Sequence, residues 1–345
     1  MRPTSLAELR DAVRDTQGTL LVKGAGTAEG WAGVPDPTDH VLETTGLTGV
    51  ITYNPADMTV AVRAGTPFAA LQRELAAGGQ RVCLDPARAA AGATVGGLVA
   101  TADAGPLRHA YGGPRDLLIG VTVVLADGTV ARSGGHVIKN VAGYDLGKLL
   151  CGSFGTLGVI AEVVLRVHPL PPASRTVSIP CDATEAVEHT GRVLEARLEP
   201  AALEWCDGEL LARYEGVESS VELRAAATPG GTTLSTSDAE AAWRRVAEVG
   251  DGDLVVRCGS RPSQLPAVAK HATSLTSSTA VGVHTLTVTD VDRLREEFPQ
   301  VTVLRSAPGT QAWGEPHAAV PLMRAVKQRF DPDGRLGPGR YRPWF

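Results

Sequence analysis

The sequence predicts an α+β protein with two main domains. Its first half mixes strand-like and helix-like pieces without a regular βαβ series. Glycine clusters crowd that half and stop around "PLPP" (169–172), where the texture changes. With 345 residues, 43% of them hydrophobic, the chain is long enough for two proper cores.

Residues 5–15 ("SLAELRDAVRD") have helical spacing behind a Ser/Thr cap, and "TLLVKG" (19–24) reads as a short buried strand running into glycine. "GVITYNPADMTVAVRAG" (49–65) reads as two strands about an Asn-Pro-Ala-Asp turn, after which Thr66 caps an amphipathic helix, "PFAALQRELAAGG" (67–79). "DLLIGVTVVLADGTVARSGG" (116–135) carries the Asp-Gly hairpin signal. Asp145 in "VAGYDL" reads as a helix cap, and "LGVIAEVVLRVHPLP" (157–171) as a long strand stopped by prolines. Residues 173–315 read as strand and helix in alternation, broken by a loop, "PGGTTLSTSD". A last amphipathic helix, "AAVPLMRAVKQRFD" (318–331), leads into a Gly/Pro tail. The expected division is a first domain at 1–171, a cap or substrate domain at 172–317, and a helix and tail at 318–345 that return to the first domain.

Composition narrows the function. A net charge of −5 without a basic stripe argues against a nucleic-acid partner. No apolar run approaches the roughly 20 residues of a transmembrane span, and "MRPTSLAELRDAVRD" lacks the apolar region of a signal peptide, so the expected location is cytoplasmic. The five cysteines are spread with no C-x-x-C pair, and the eight histidines form no His-x-His or His-x-x-x-His pair, so no metal site is expected.

Four glycine clusters (23–27, 92–97, 105–116 and 151–160) carry the chemistry. A glycine-rich loop exposes successive backbone N–H groups and approaches a pyrophosphate closely. Thr27 or Thr94 adds a neutral donor, and a helix start after "GATVGG" adds its dipole, so this loop fits a phosphate cradle. No G-x-x-x-x-G-K-[ST] motif is present, and "GAGTAEG" (24–30) misses the last glycine of the dinucleotide fingerprint by one position.

"KGAGT", "YNPADMTVAVRAGTPFAALQRELAAGGQRVCLDP", "GATVGGLVAT", "YGGPRDLLIGVTVVLADGTV" and "KNVAGYDLGKLLCGSFGTLGVIAEVVLRVHPLP" resemble, in order and spacing, the FAD-binding domain of the vanillyl-alcohol oxidase (PCMH) type. The tail "FDPDGRLGPGRY" resembles the C-terminal motif of the same family. Within it, "GPLRHAYGGPRDLLIGV" and "HVIKNVAGYDLGKLLCGSFGTLGVI" are most similar to the FAD-binding E subunits of glycolate oxidases. The resemblance implies two small α+β subdomains gripping an extended FAD. Lys23, Gly24, Ala25, Gly26 and Thr27 with Ala93, Thr94, Val95, Gly96 and Gly97 would hold the phosphates, and Pro86 would lie beside the flavin. Thr101, Gly105 and Arg108 would line the cofactor channel, and Gly155, Thr156, Gly158, Val159 and Ile160 would lie near the adenosine.

Thr27 stands where relatives with covalent FAD carry His, which implies non-covalent FAD, and Gly337 replaces the usual Asn of the tail. The metal signature of related 2-hydroxyacid dehydrogenases is missing. Flavin oxidation of a 2-hydroxy acid needs a base, a cation for the carboxylate and a donor for the reduced flavin. Arg108, His109, Arg115, His284, His317 and Arg340 are the candidate helpers; Arg108 and His109 are the catalytic expectation, and His284 reads as a satisfied core or edge histidine. The implied partners are a larger catalytic flavin subunit, an iron–sulfur subunit and a small 2-hydroxy acid such as glycolate. The main reading is the FAD-binding subunit of a glycolate oxidase-like 2-hydroxyacid oxidoreductase complex, passing on electrons from 2-hydroxy acid oxidation; the other is a stand-alone FAD-dependent oxidase or dehydrogenase of a small alcohol, sugar or hydroxy acid. Gly96→Asp is expected to abolish flavin retention by bulk and like charge.

Overall fold

The structure is a computed structural model that describes residues 1–137, 144–307 and 309–345. Part of the motif stretch "KNVAGYDL", residues 139–143, lies outside the described residues. Helix α1 (Leu6–Asp15) starts on Ser5, whose side chain accepts the Glu8 amide, and it buries Leu9 and Val13. The parallel strands β1 (Leu20–Lys23) and β2 (His40–Glu43) follow. Strands β3 (Val50–Asn54) and β4 (Thr59–Arg63) form the expected hairpin, and α2 (Phe68–Ala77) and β5 (Gln80–Arg81) come next. Thr66 does not cap α2: Pro67 holds the cap position, and Thr66 Oγ1 instead accepts the Gly49 amide at 2.9 Å.

Then come α3 (Val95–Thr101), α4 (Arg108–Tyr111), α5 (Pro114–Leu117), β6 (Leu118–Val124) and β7 (Val130–Gly134). They are followed by α6 (Gly147–Leu150), β8 (Val159–Arg166) and β9 (His168–Pro169). Asp145 does not cap α6; Leu146 occupies that position, and Asp145 pairs with Lys148 at 3.6 Å. Five strands form an antiparallel sheet in the order β3-β4-β8-β6-β7. One face packs Val62, Val121 and Val163 against Phe68, Leu71 and Leu98 of α2 and α3. The other packs Val124 and Val159 against Leu9, Leu20 and Leu42, so α1 and the β1–β2 pair form a second layer.

The rest of the chain begins with β10 (Ala173–Pro180), α7 (Ala183–Glu195), β11 (Ala202–Cys206), β12 (Glu209–Gly216) and α8 (Glu218–Ala226). It continues through β13 (Thr232–Thr233), α9 (Thr236–Glu248), β14 (Val255–Gly259), α10 (Leu265–Ala269) and β15 (Ala272–Ser278). It closes with β16 (Val283–Val288), α11 (Val291–Glu297) and β17 (Val301–Arg305). These strands make one antiparallel sheet of eight, ordered β13-β10-β12-β11-β15-β16-β14-β17. The strict alternation fails at β11–β12, a direct hairpin turned by Asp207 (φ +40°) and Gly208 (φ +100°). The expected loop "PGGTTLSTSD" also contributes β13, an edge strand on β10.

Helices α7, α8, α10 and α11 cover one face of this sheet through Val193, Val221, Val268 and Leu294, packed with Leu203, Tyr214 and Leu286. The opposite face carries Glu204, Arg213 and Arg257, the last two paired with Asp85 and Asp103 of the first domain. Helix α12 (Val320–Phe330) and the tail run back to the first domain, where Leu336 bridges Leu20 in parallel. No helix among the described residues is long and apolar enough to cross a membrane.

Candidate functional site

Loop 23–27 follows directly from β1 and forms one wall of a cleft that Thr94, Gly96 and Gly97 line from the other side. Among the described residues the amides of Ala25, Gly26 and Thr27 make no hydrogen bond within the chain, which leaves three adjacent donors in the cleft wall. Gly24 is required by a close crossing: a Cβ there would lie 2.6 Å from Thr94 Oγ1 in the opposite wall. Lys23 adds an ammonium, 3.2 Å from Glu29.

The second cluster behaves differently from its sequence reading. Helix α3 starts inside it, with Thr94 Oγ1 accepting the Gly97 amide at 3.2 Å. The Val95 amide bonds Thr66 O at 2.9 Å, and the Gly96 amide bonds Ala64 O at 2.8 Å. A Cβ on Gly96 would lie 2.7 Å from Ala64 Cβ. These amides are therefore satisfied internally, and "GATVGG" docks α3 against the end of β4. Its Thr94, Gly96 and Gly97 still line the cleft, as wall.

Of the other expected residues, Thr101, Gly155, Gly158 and Ile160 line the cleft together with all five of 23–27. Pro86, Ala93, Val95, Gly105, Arg108, Thr156 and Val159 are not among its lining residues. Val95, Ala93 and Val159 belong to the hydrophobic core instead. Thr156 hydrogen-bonds backward to Ser153 O at 2.7 Å and accepts Lys327 Nζ at 2.8 Å.

Two arginines that the sequence reading did not place here complete the donor set. Arg88 donates to Thr27 Oγ1 at 3.1 Å, Thr101 Oγ1 at 2.8 Å and Asp103 at 3.0 Å, with its guanidinium 4.0 Å from the Trp31 ring centre. Arg340, named earlier only as a substrate helper, enters from the tail and donates to Trp31 O at 2.9 Å and Gly33 O at 2.5 Å. Its Nε is buried without a partner among the described residues. Free amides, hydroxyls and guanidinium donors around one cleft match the oxygens of an anionic pyrophosphate.

The expected catalytic pair is split. Arg108 donates to Ala104 O at 3.0 Å and faces the eight-stranded sheet, in the field of Glu204 and Arg257. His109 lines a separate hollow with Tyr111, Arg197, Glu199 and Glu215, and burial lowers its proton affinity. His284 is fully buried with both ring nitrogens 2.8 Å from the hydroxyls of Ser260 and Ser277, and burial holds it down to about 4. Glu204, on β11, is 3% exposed; burial pushes its carboxyl up to about 7, against the opposing pull of Ser278 and Arg108. All five cysteines are free, and burial raises each thiol, Cys258 to about 12.

Comparison with known proteins identifies the domain that carries this cleft as one that binds FAD. Residues 1–134 match the family described as "FAD binding domain". The chain thus carries a PCMH-type FAD-binding domain related to those of glycolate oxidase subunits. It is 34% identical over 220 residues to the glycolate oxidase subunit GlcE of Escherichia coli, 63% of this chain and 61% of that protein. It is 32% identical over 188 residues to the D-lactate dehydrogenase of Archaeoglobus fulgidus, 54% of this chain and 42% of that protein. In both cases the match spans less than two thirds of the relative's length. An alkyldihydroxyacetonephosphate synthase structure superposes with a TM-score of 0.74 at 16% identity, covering 98% of this chain and 75% of that one, which shows the shared fold.

Proposed function

We propose that the chain is a FAD-dependent oxidoreductase acting on the CH–OH group of a small 2-hydroxy acid. The carrying observation is the donor set of the cleft: the amides of 25–27, Thr27, Arg88 and Arg340 all line it. Bound there non-covalently, FAD would supply the hydride-accepting chemistry. The protein's residues do the rest. Loop 23–27 and Arg340 would hold the phosphates, and Arg88 fixes Thr27 and Thr101 in one frame. The D-lactate dehydrogenase similarity supports a 2-hydroxy acid as substrate.

A second reading rests on the GlcE similarity: the chain would be the FAD-binding subunit of a glycolate oxidase-like complex, passing electrons beside a larger flavin subunit and an iron–sulfur subunit. The visible absorption spectrum of the purified chain, before and after anaerobic addition of glycolate or D-lactate, separates the two. Bleaching of a flavin band supports the stand-alone enzyme. An unchanged flavin band supports the subunit, and a colourless protein that rejects added FAD overturns both.

A further inference from the structure

A carboxylate buried in an apolar strand costs stability unless it is paired and hydrogen-bonded. Glu204 accepts hydrogen bonds from Ser278 Oγ and from Thr276 Oγ1 at 3.4 Å, both on β15. Arg108 and Asp85 face it from the first domain, and Cys206 stands on its own strand. Asp85 is matched by Arg213 at 3.3 Å. Hydrogen bonds run from the cofactor cleft as far as Arg257, whose charge acts on Arg108 and, through that guanidinium, on the surroundings of Glu204. Thr27 meets Arg88 at 3.1 Å, Arg88 meets Asp103 at 3.0 Å, and Asp103 meets Arg257 at 3.1 Å. Arg257 and Arg108 lie in each other's field, and the four arginines Arg88, Arg108, Arg213 and Arg257 outnumber the three acids Asp85, Asp103 and Glu204 by one. That surplus of positive charge suits an incoming carboxylate.

We propose that Glu204 takes the hydroxyl proton of the substrate, whose carboxylate is held by Arg108 and Arg257. This rests on the oxidoreductase reading above. In the step, the substrate C–H bond breaks with its electron pair going to FAD, the oxidant. The O–H bond breaks with its proton going to a Glu204 carboxylate oxygen. The C=O bond of a 2-oxo acid forms, and the proton is later released to solvent.

The test uses FAD-loaded protein under anaerobic conditions. D-lactate and glycolate probe reduction, and oxalate, a dianion that cannot deliver hydride, probes binding through the flavin spectrum. Wild-type reduction is expected to rise with pH through about 7, as Glu204 ionises, while oxalate affinity falls because the ionised carboxylate repels it. Glu204→Gln is expected to keep FAD and oxalate binding, to flatten both pH profiles, and to slow reduction by about 10²–10⁴-fold. Ser278→Ala removes a donor to the charged form and is expected to move the wild-type step to higher pH, which a purely structural carboxylate would not do. Normal wild-type reduction with an equally fast Glu204→Gln, or with a pH step that persists in it, overturns the proposal alone. Wild-type protein that holds FAD but is never reduced overturns the oxidoreductase reading and the proposal with it.

Discussion

Glu204, Arg213 and Arg257 are single charges inside the apolar strand runs "ALEWC", "LLARY" and "VVRCG". That pattern is the sequence signal the site reading passed over, because a lone charge in a strand is uninformative until the sheet shows three of them on one face. Their burial has a cost that pH reveals. Glu204 binds its proton more tightly in the fold (about 7) than at its ordinary 4.5, so its contribution to stability is complete below 4.5 and is lost as pH rises through about 7. Glu204→Gln should therefore gain on wild type by roughly 1–3 kcal/mol between pH 5 and pH 8, read from urea melts at the two values. An offset that stays constant with pH would contradict the burial argument. His284 has the opposite sign: held near 4 against 6.5, it makes the fold weaken as pH drops through that window.

Among the elements, α3 separates packing from binding. The sequence reading assigns Gly96 to the phosphate, and the structure assigns it to the crossing of α3 over Ala64. Charge repulsion is then unnecessary: Gly96→Ala should by itself cost about 1–3 kcal/mol and lower FAD content, because α3 must lift off β4. Thermal melts and flavin-to-protein absorbance ratios check this, and unchanged stability with full retention in Gly96→Ala would overturn the packing role given to Gly96. The β11–β12 hairpin teaches the same lesson in reverse. "WCDGEL" carries the Asp-Gly turn signal that was used correctly for "LADGTV", yet the expected alternation of strand and helix overrode it. Thr66 and Asp145 have the right chemistry for caps, but tertiary partners, the Gly49 amide and Lys148, claim their side chains.

Across the whole molecule, the tail ties the chain together. Lys327 Nζ binds Thr156 O at 2.8 Å, Leu336 O at 2.9 Å and Asp331 at 2.5 Å. Arg335 reaches Ala126 O at 2.6 Å and Val13 O at 3.2 Å, while Arg340 delivers its guanidinium to the cleft. Asp331 is buried, so Lys327→Met leaves an uncompensated charge and should cost about 3–5 kcal/mol. Loss of FAD should accompany the fall in melting temperature, since Arg340 is carried on the same tail; an unaltered melting temperature would show the tail to be only a loose strap.

Hydrophobic periodicity, turn residues and glycine spacing are local properties, so they were enough to determine the α+β class, most strands and helices of the first domain, and the glycine-rich turn into which β1 runs at 23–27. Long-range geometry is not written locally. Which amides remain free, which glycines serve packing, and which strand charges meet across the two sheets depend on contacts such as Arg88–Thr27, 61 residues apart, and Arg257–Asp103, 154 apart. Only the folded chain brings those groups within hydrogen-bond reach.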